Sequence, residues 1–349
     1  MPVQSIIAKT LEYLQIPCVV GHEVVFMNHL ANEFGALGAQ VSWEKGLLAV
    51  HGSQPHSSII SAHIDRHGLI SLGGGEYFYA AQFIKEIKYG ISNEGAQREL
   101  RLVANRFEGE DVLAYDSSTG EILGHGRINH HSPCKRRGDG LFYIDGMPDV
   151  PQDTPVAYAK EPEDTGKYLM GQIDNTLSIA AVYELFKNGY QGTALLTAEE
   201  EIGKSWAHIS RCLDAHDIQT DRLIVLDTSP YSGDDRKTVI DGTVVLRGRD
   251  KSAVFNTDLV KTLAKTCEDL ALPYQIKDMY LLAQGKEIDE LGSTELGKLI
   301  LRTDGRWNGA TIQVPTTMYH TSNETTSHIA IEHYYRMLEG VLMNGAEGS

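Results

Sequence analysis

Leu195-Leu196-Thr197-Ala198-Glu199-Glu200-Glu201-Ile202-Gly203 is the stretch whose reading decides the fold. It opens on a short apolar run, the pattern of a buried strand, and runs straight into three consecutive carboxylates. Three acids at the end of a core strand are costly unless a metal ion or a basic partner neutralises them. Gly203 then lets the chain turn sharply. One carboxylate can hold a metal while its neighbour moves a proton, the division of labour that metal-assisted hydrolysis needs. An acidic triplet taken alone is more often a solvated turn, so the metal reading depends on what the rest of the chain brings to it.

Working outward, the chain alternates apolar runs with helical periodicity. Upstream, residues 3–15 carry Val3, Ile6, Ile7, Leu11 and Leu14 at helical spacing, and a second helix is expected from about Glu23 to Phe34. Val41 to Val50 alternates and breaks at Lys45-Gly46, a hairpin pattern. Ser57 to Ala62 reads as a buried strand that delivers His63-Ile64-Asp65 at its carboxyl end, where open α/β sheets bind ligands. Downstream, Gly171-Gln172-Ile173-Asp174-Asn175 precedes a helix through Leu177–Leu185, and another helix is expected around Ser205–Ala215. Arg222–Asp227 is an apolar strand ending in a carboxylate. Then come a strand at Thr243–Leu246, helices at about Asn256–Leu270 and Ser293–Leu301, a strand at Thr311–Val314 leading to Met318-Tyr319-His320, and a helix over Thr326–Met343.

The expected fold is therefore α/β, a mostly parallel sheet sandwiched by helices. Residues 71–166 break the pattern with short alternating runs, among them Ile84–Tyr89, Glu99–Val103 and Ile122–Ile128, with many glycines and no convincing long helix. They read as a small β-rich, barrel-like domain inserted into a discontinuous catalytic domain of residues 1–70 and 167–349. Asn129-His130-His131 and Cys134, beside the basic Lys135-Arg136-Arg137, fit no closed zinc site and read as a surface loop.

His63, Asp174, Glu200 with Glu201, Asp227 and His320 each stand at the end of an apolar run or the start of a helix. Each has a plain explanation alone: a satisfied histidine at His63, a helix N-cap at Asp174, a turn cap at Asp227. Together they should meet at the carboxyl edge of one parallel sheet. Two histidines and several carboxylates form a donor set that suits zinc, manganese or cobalt better than calcium, and there are enough for two ions sharing a carboxylate. Asp65, two residues past His63 on an extended segment, shares its face and is expected to accept the other ring N–H of His63.

The chain resembles the co-catalytic metallo-aminopeptidases of the TET or glutamyl-aminopeptidase type, metallopeptidase family forty-two. The resemblance rests on Ala62-His63-Ile64-Asp65, Gly171–Asn175, Thr197–Gly203, Asp227, Gly292–Glu295, Ile312–Pro315 and Tyr319–Glu324, in that order. The long gap between His63 and Asp174 leaves room for the inserted β-rich domain that the family carries there. The resemblance implies two divalent ions per subunit, zinc first and cobalt or manganese as alternatives. His63 and Asp227 would hold one, Glu201 and His320 the other, and Asp174 would bridge them. It implies Glu200 as general base toward a metal-bridging water, with Asp65 in support. It also implies a homo-oligomer, from dimer to dodecamer. The chain departs from the family pattern at Arg66-His67, Asn175, Glu295-Leu296 and Ser322, which together point to an altered substrate preference. Arg66 either favours a substrate carboxylate or makes a surface salt bridge.

Composition sets the outer limits. The chain has 349 residues, 42% hydrophobic and 22% charged, enough for a sizeable core and two domains. A formal net charge of -16 argues against nucleic acid and anionic membranes as partners and fits attraction of a substrate amine. Four scattered cysteines without a CxxC pair read as reduced thiols. With no signal peptide and no membrane-spanning run, they lead to the expectation of a cytoplasmic protein. The function expected is a two-metal aminopeptidase acting on peptides. The alternatives are a metal-dependent deacylase or amidase on a small N-acyl compound, and a catalytically silent assembly protein.

Overall fold

Strand Thr193–Thr197 is buried along its whole length, as is Ile59–His63 beside it, and both lie at the centre of an eight-stranded sheet. Uninterrupted apolar strands of this kind need cover on both faces, which dictates a helix–sheet–helix arrangement. The computed structural model describes residues 2–91, 105–134 and 139–343.

Helices α1 (Pro2–Leu14) and α2 (Val24–Ala36) lead into strands β1 (Gln40–Glu44), β2 (Leu47–His51) and β3 (Ile59–His63). The chain then enters β4 (Leu69–Gly73), β5 (Glu76–Tyr79), helix α3 (Ala80–Tyr89), β6 (Asp111–Tyr115), β7 (Ile122–Cys134), β8 (Asp139–Asp145) and β9 (Pro155–Tyr158). Short strands β10 (Glu163–Asp164) and β11 (Tyr168–Gly171) belong to a separate three-stranded sheet. There follow α4 (Thr176–Lys187), β12 (Thr193–Thr197), α5 (Ser205–Ala215), β13 (Leu223–Pro230) and β14 (Val244–Arg247). The last part holds α6 (Thr257–Asp269), β15 (Tyr274–Ile276), α7 (Lys277–Ala283), α8 (Glu295–Arg302), β16 (Gly309–Thr316), β17 (Glu324–Ser327) and α9 (His328–Leu342).

The sheet order is β1-β2-β12-β3-β13-β16-β14-β15. The four central strands β12, β3, β13 and β16 are mutually parallel, while β2 and β14 join them antiparallel. Helices α1, α4, α6 and α9 pack together on one side, and α5 packs on α8 against β12 and β16 on the other. Register brings Thr197 beside His63 and Leu226 beside Ala62, so the carboxyl ends of three strands lie at one level. The expected α/β sandwich with a mostly parallel sheet is what the chain forms.

Strands β4-β5-β8-β7-β6-β9 close into an antiparallel barrel with its own apolar clusters, one around Phe78 and Tyr115 and one around Phe107 and Phe142. Two expectations fail here. Ile84–Tyr89 is helical, within α3, not a strand. Phe83, Ile84 and Ile87 follow helical spacing, Lys and Glu favour the helix, and Gly90 ends it in the left-handed conformation at φ 63. Asn129-His130-His131 and Cys134 lie within strand β7 rather than a surface loop. Glu99–Val103 and Lys135–Arg137 lie outside the described residues. No described helix is long and apolar enough to cross a membrane.

Candidate metal centre

The acidic turn after β12 sends its three glutamates to two different sides. Glu199, at φ 64, points back into the protein, where it accepts from Lys88 Nζ and Tyr89 Oη and lies 3.0 Å from His208 Nε2. Burial would raise its carboxyl, but these three partners outweigh it and hold the group down at about 2. Glu200 and Glu201 face the carboxyl edge of the sheet. Their backbone N–H groups donate to the two carboxylate oxygens of Asp65, each at 3.0 Å. Gly203 closes the turn at φ +69, and a Cβ there would stand 2.5 Å from Lys298 Nζ. That ammonium is 4.0 Å from Glu200 Oε1. Burial pushes the Glu200 carboxyl well above its ordinary range, with Lys298 opposing, and it raises Glu201 as well.

Around this turn, ligand-type atoms gather in two groups, each within 4.8 Å: His63, Asp174 and Asp227, and His67, Glu201 and His320. His63 Nε2 lies 3.2 Å from Asp174 Oδ1 and 3.6 Å from Asp227 Oδ1. His320 Nε2 lies 3.3 Å from Asp174 Oδ2 and 3.7 Å from Glu201 Oε2. His67 Nε2 lies 2.9 Å from Glu201 Oε2. The Asp174 carboxylate thus stands between the groups, one oxygen toward each. Asp174 is not the N-cap of α4; that position belongs to Asn175, which caps nothing with its side chain.

These atoms fit divalent metal. Asp174 Oδ1, Glu201 Oε1, His67 Nε2 and His320 Nε2 are buried without a hydrogen-bond partner among the described residues. A buried polar atom left unpaired costs about 1–3 kcal/mol, so four in one cluster point to a shared partner. Donors at 2.0–2.1 Å from a tetrahedral zinc stand about 3.3 Å apart, the order of the separations seen here. The donors are imidazole and carboxylate, the set that suits zinc, cobalt and manganese.

The surrounding residues hold the donors in place. His63 Nδ1 lies 3.2 Å from the carbonyl oxygen of Asp65 and 3.8 Å from its Oδ1, because β3 ends at His63 and Asp65 turns its carboxylate to the glutamate backbone. Glu324 Oε2 accepts from Asp174 N at 2.9 Å, and its Oε1 accepts from Thr316 Oγ1 at 3.0 Å. Asn175 Nδ2 donates to the Leu226 carbonyl at 2.8 Å, a bond an ionised aspartate could not make. Glu295 is buried, accepting from Ser61 and Thr197 hydroxyls at 2.7 and 2.8 Å beneath β3 and β12. Arg247 Nε donates to Gln313 Oε1 at 3.0 Å, and Gln313 Nε2 lies 3.4 Å from Asp227 Oδ2. From the barrel side, Arg106 Nη1 is 3.2 Å from His320 Nδ1, and Ser322 Oγ donates to Glu110 at 2.5 Å. Among the described residues Arg66 forms no salt bridge. It is 5% exposed, donates to the Ile16 carbonyl and lies 6.0 Å from the Phe26 ring centre, turned away from both groups.

Sequence reasoning names His67 and Glu295 only as departures from the family pattern and Glu324 only within a motif block, and gives none of them a role in this region. A signal for His67 was present: His63, Asp65 and His67 recur every second residue, which places them on one side of an extended segment. Glu324 and Glu295 act on backbone and hydroxyl groups far away in the chain, and no local pattern marks such a role.

The fold is shared with solved structures of other proteins. An aminopeptidase from the archaeon Desulfurococcus kamchatkensis matches with a TM-score of 0.74 at 12% identity, over 97% of this chain and 95% of that one. A TET aminopeptidase from Thaumarchaeota archaeon SCGC AB-539-E09 matches with 0.71 at 16%, over 96% and 95%. The Pyrococcus horikoshii TET1 peptidase, described as assembling into a tetrahedron or a large octahedral shell, matches with 0.69 at 18%, over 97% and 99%. Comparison with curated proteins returns no match. At the level of sequence, the M42 glutamyl aminopeptidase model matches residues 149–337, more than half of the chain and the part that carries Asp174, the acidic turn, Asp227 and His320. The chain belongs to the M42 glutamyl aminopeptidase family, and with it to the metallo-exopeptidases.

Proposed function

We propose that this chain removes N-terminal residues from peptides using two divalent ions, with zinc the first choice and cobalt or manganese the alternatives. His63 and Asp227 hold one ion, Glu201 and His320 the other, and Asp174 is shared. The observation that carries this reading is the divided Asp174 carboxylate, Oδ1 at 3.2 Å from His63 Nε2 and Oδ2 at 3.3 Å from His320 Nε2. When bound, the ions supply Lewis-acid polarisation of the scissile carbonyl and make water a nucleophile at neutral pH.

The chain's own residues do the rest. Glu200 is the general base. Its carboxyl, raised by burial, is shifted toward the pH at which it can take a proton from the attacking water and pass it to the leaving amine. Lys298, 4.0 Å from Oε1, favours the ionised form that begins the cycle. Asp65 is a positioning residue: its grip on both glutamate N–H groups fixes where Glu200 and Glu201 point. The concentration of carboxylates at this edge attracts the ammonium of a free peptide N-terminus.

We extend the proposal to assembly. The structural relatives described as dodecamer, tetrahedron or octahedral shell support a homo-oligomer here, with residues 71–166 serving subunit contact and substrate access. Sedimentation of the purified protein measures this, and a monomer at micromolar concentration would remove it.

Hydrolysis of an aminoacyl-anilide panel tests the activity, comparing metal-loaded protein, chelated protein and Glu200→Gln. Turnover that needs both metal and Glu200 is the expected result. Metal-loaded protein that cleaves N-acylated substrates and no free-amine substrate would contradict it.

A further inference from the structure

His67 is buried within the cluster, and the two-metal reading above, on which this inference rests, gives it no role. Arg66 directs its side chain to Ile16 and Phe26. In an extended segment the next residue points the opposite way, and His67 enters the space between Glu201 and His320. Its carbonyl accepts from Gln172 Nε2 at 2.8 Å, which fixes the backbone. Its Nδ1 lies 2.7 Å from Tyr79 Oη, at the end of β5. Its ring centre is 4.0 Å from that of His320.

The decisive feature is Nε2. It lies 2.9 Å from Glu201 Oε2, yet the two are not aligned as a hydrogen bond, and Nε2 has no hydrogen-bond partner among the described residues. His320 Nε2 and Glu201 Oε1 are in the same condition. Ligand-type atoms of these three residues lie within 4.8 Å of one another, close enough to share one cation. The Tyr79 hydroxyl beside Nδ1 can accept an Nδ1–H, which leaves the Nε2 lone pair free for that cation, as the outer partners of metal-bound histidines do.

We propose that His67 is a third protein ligand of the ion held by Glu201 and His320. With one oxygen of Asp174, that ion has four protein donors, the complement of a closed tetrahedral site. The ion at His63, Asp174 and Asp227 has three, the complement of a site with an open position. The two positions are then unequal: the Glu201 side binds the ion more firmly, and the His63 side is the one accessible to substrate.

Two measurements test this without relying on activity. Zinc X-ray absorption of the loaded wild-type protein counts imidazole scattering. The expected result is three imidazoles shared by two ions; two imidazoles for two ions would overturn the proposal while leaving the two-metal reading intact. Fewer than two tightly bound ions would overturn both. Chelator competition then compares wild type, His67→Ala and Tyr79→Phe. His67→Ala is expected to weaken one of the two ions by more than about 100-fold and leave the other unchanged, and Tyr79→Phe to weaken the same ion by about 10-fold. A cobalt-loaded His67→Ala protein whose visible spectrum and affinities match wild type would overturn the proposal. If His67→Ala does not fold, Tyr79→Phe and the absorption count decide it.

Discussion

Glu199 and Glu200 are neighbours in the chain, both held in a largely buried turn, and they live in opposite environments. Behind the turn, Glu199 is met on all sides by Lys88, Tyr89 and His208. In front, Glu200 and Glu201 share a space with Asp174, Asp227 and two orphaned histidine nitrogens, and among the described residues Lys298 is the one that forms an ion pair with Glu200. The difference teaches how to read a buried acid. One whose oxygens are satisfied by the protein is a structural pin, here tying α3 and α5 to the end of β12. One whose neighbourhood is full of unmet atoms awaits a cation from outside.

The largest expected effect breaks the comparison on its front side. Glu200→Gln should lower kcat by about 10³-fold, near 4 kcal/mol in the barrier, while both ions remain bound. Steady-state kinetics with metal analysis measures this, and loss of metal in parallel with activity would make Glu200 a ligand instead of a base. Glu199→Ala should do the reverse. It should cost about 3 kcal/mol of folding stability, because a buried acid with cationic partners is broken, and change kcat per folded molecule little. Urea unfolding with an active-site titration separates the two quantities.

The two sides should also differ in the sign of their pH dependence. Glu199 is held at about 2 against an ordinary 4.5. Its stabilisation is therefore complete above pH 4.5 and lost as pH falls toward 2, about 2–3 kcal/mol after allowing for the half-exposed Lys88. Thermal unfolding of Glu199→Gln should show that acid slope reduced. Glu200 and Glu201 have folded-state values raised above their unfolded ones. In chelated protein they should contribute stability as pH falls from neutral toward the ordinary carboxyl range, the opposite slope. A chelated protein that loses stability steadily across that range would break the contrast. The smallest effect sharpens it: Tyr89→Phe removes one donor from Glu199 and should cost about 1.5 kcal/mol, with no effect on metal affinity.

Much of this was legible in the sequence because a parallel α/β sheet writes its site at strand ends. His63 closes β3, the acidic turn follows β12, Asp227 lies in β13, and each is announced by an apolar run that stops at a polar side chain. What was not legible has physical reasons. Ile84–Tyr89 reads as a short alternating run in glycine-rich surroundings, while the helix that forms rests on the spacing of Phe83, Ile84 and Ile87 and on the left-handed Gly90 at its end. Arg66 looked like a surface or substrate-facing cation; burial against Phe26 is set by α2, which is remote in sequence. His67 was hidden beside the stronger His63–Asp65 pair, and Glu324 beside His320, since their roles depend on the point where distant segments cross.

Native mass spectrometry of the zinc-loaded protein, wild type and Asp174→Asn, is the most direct test of the claim that the front acids are held together by metal. Wild type should carry two zinc ions per chain, and Asp174→Asn should lose affinity for both, since one oxygen of this carboxylate faces each donor group. Wild-type protein that carries no zinc, or an Asp174→Asn protein that keeps both ions at unchanged affinity, would contradict the account.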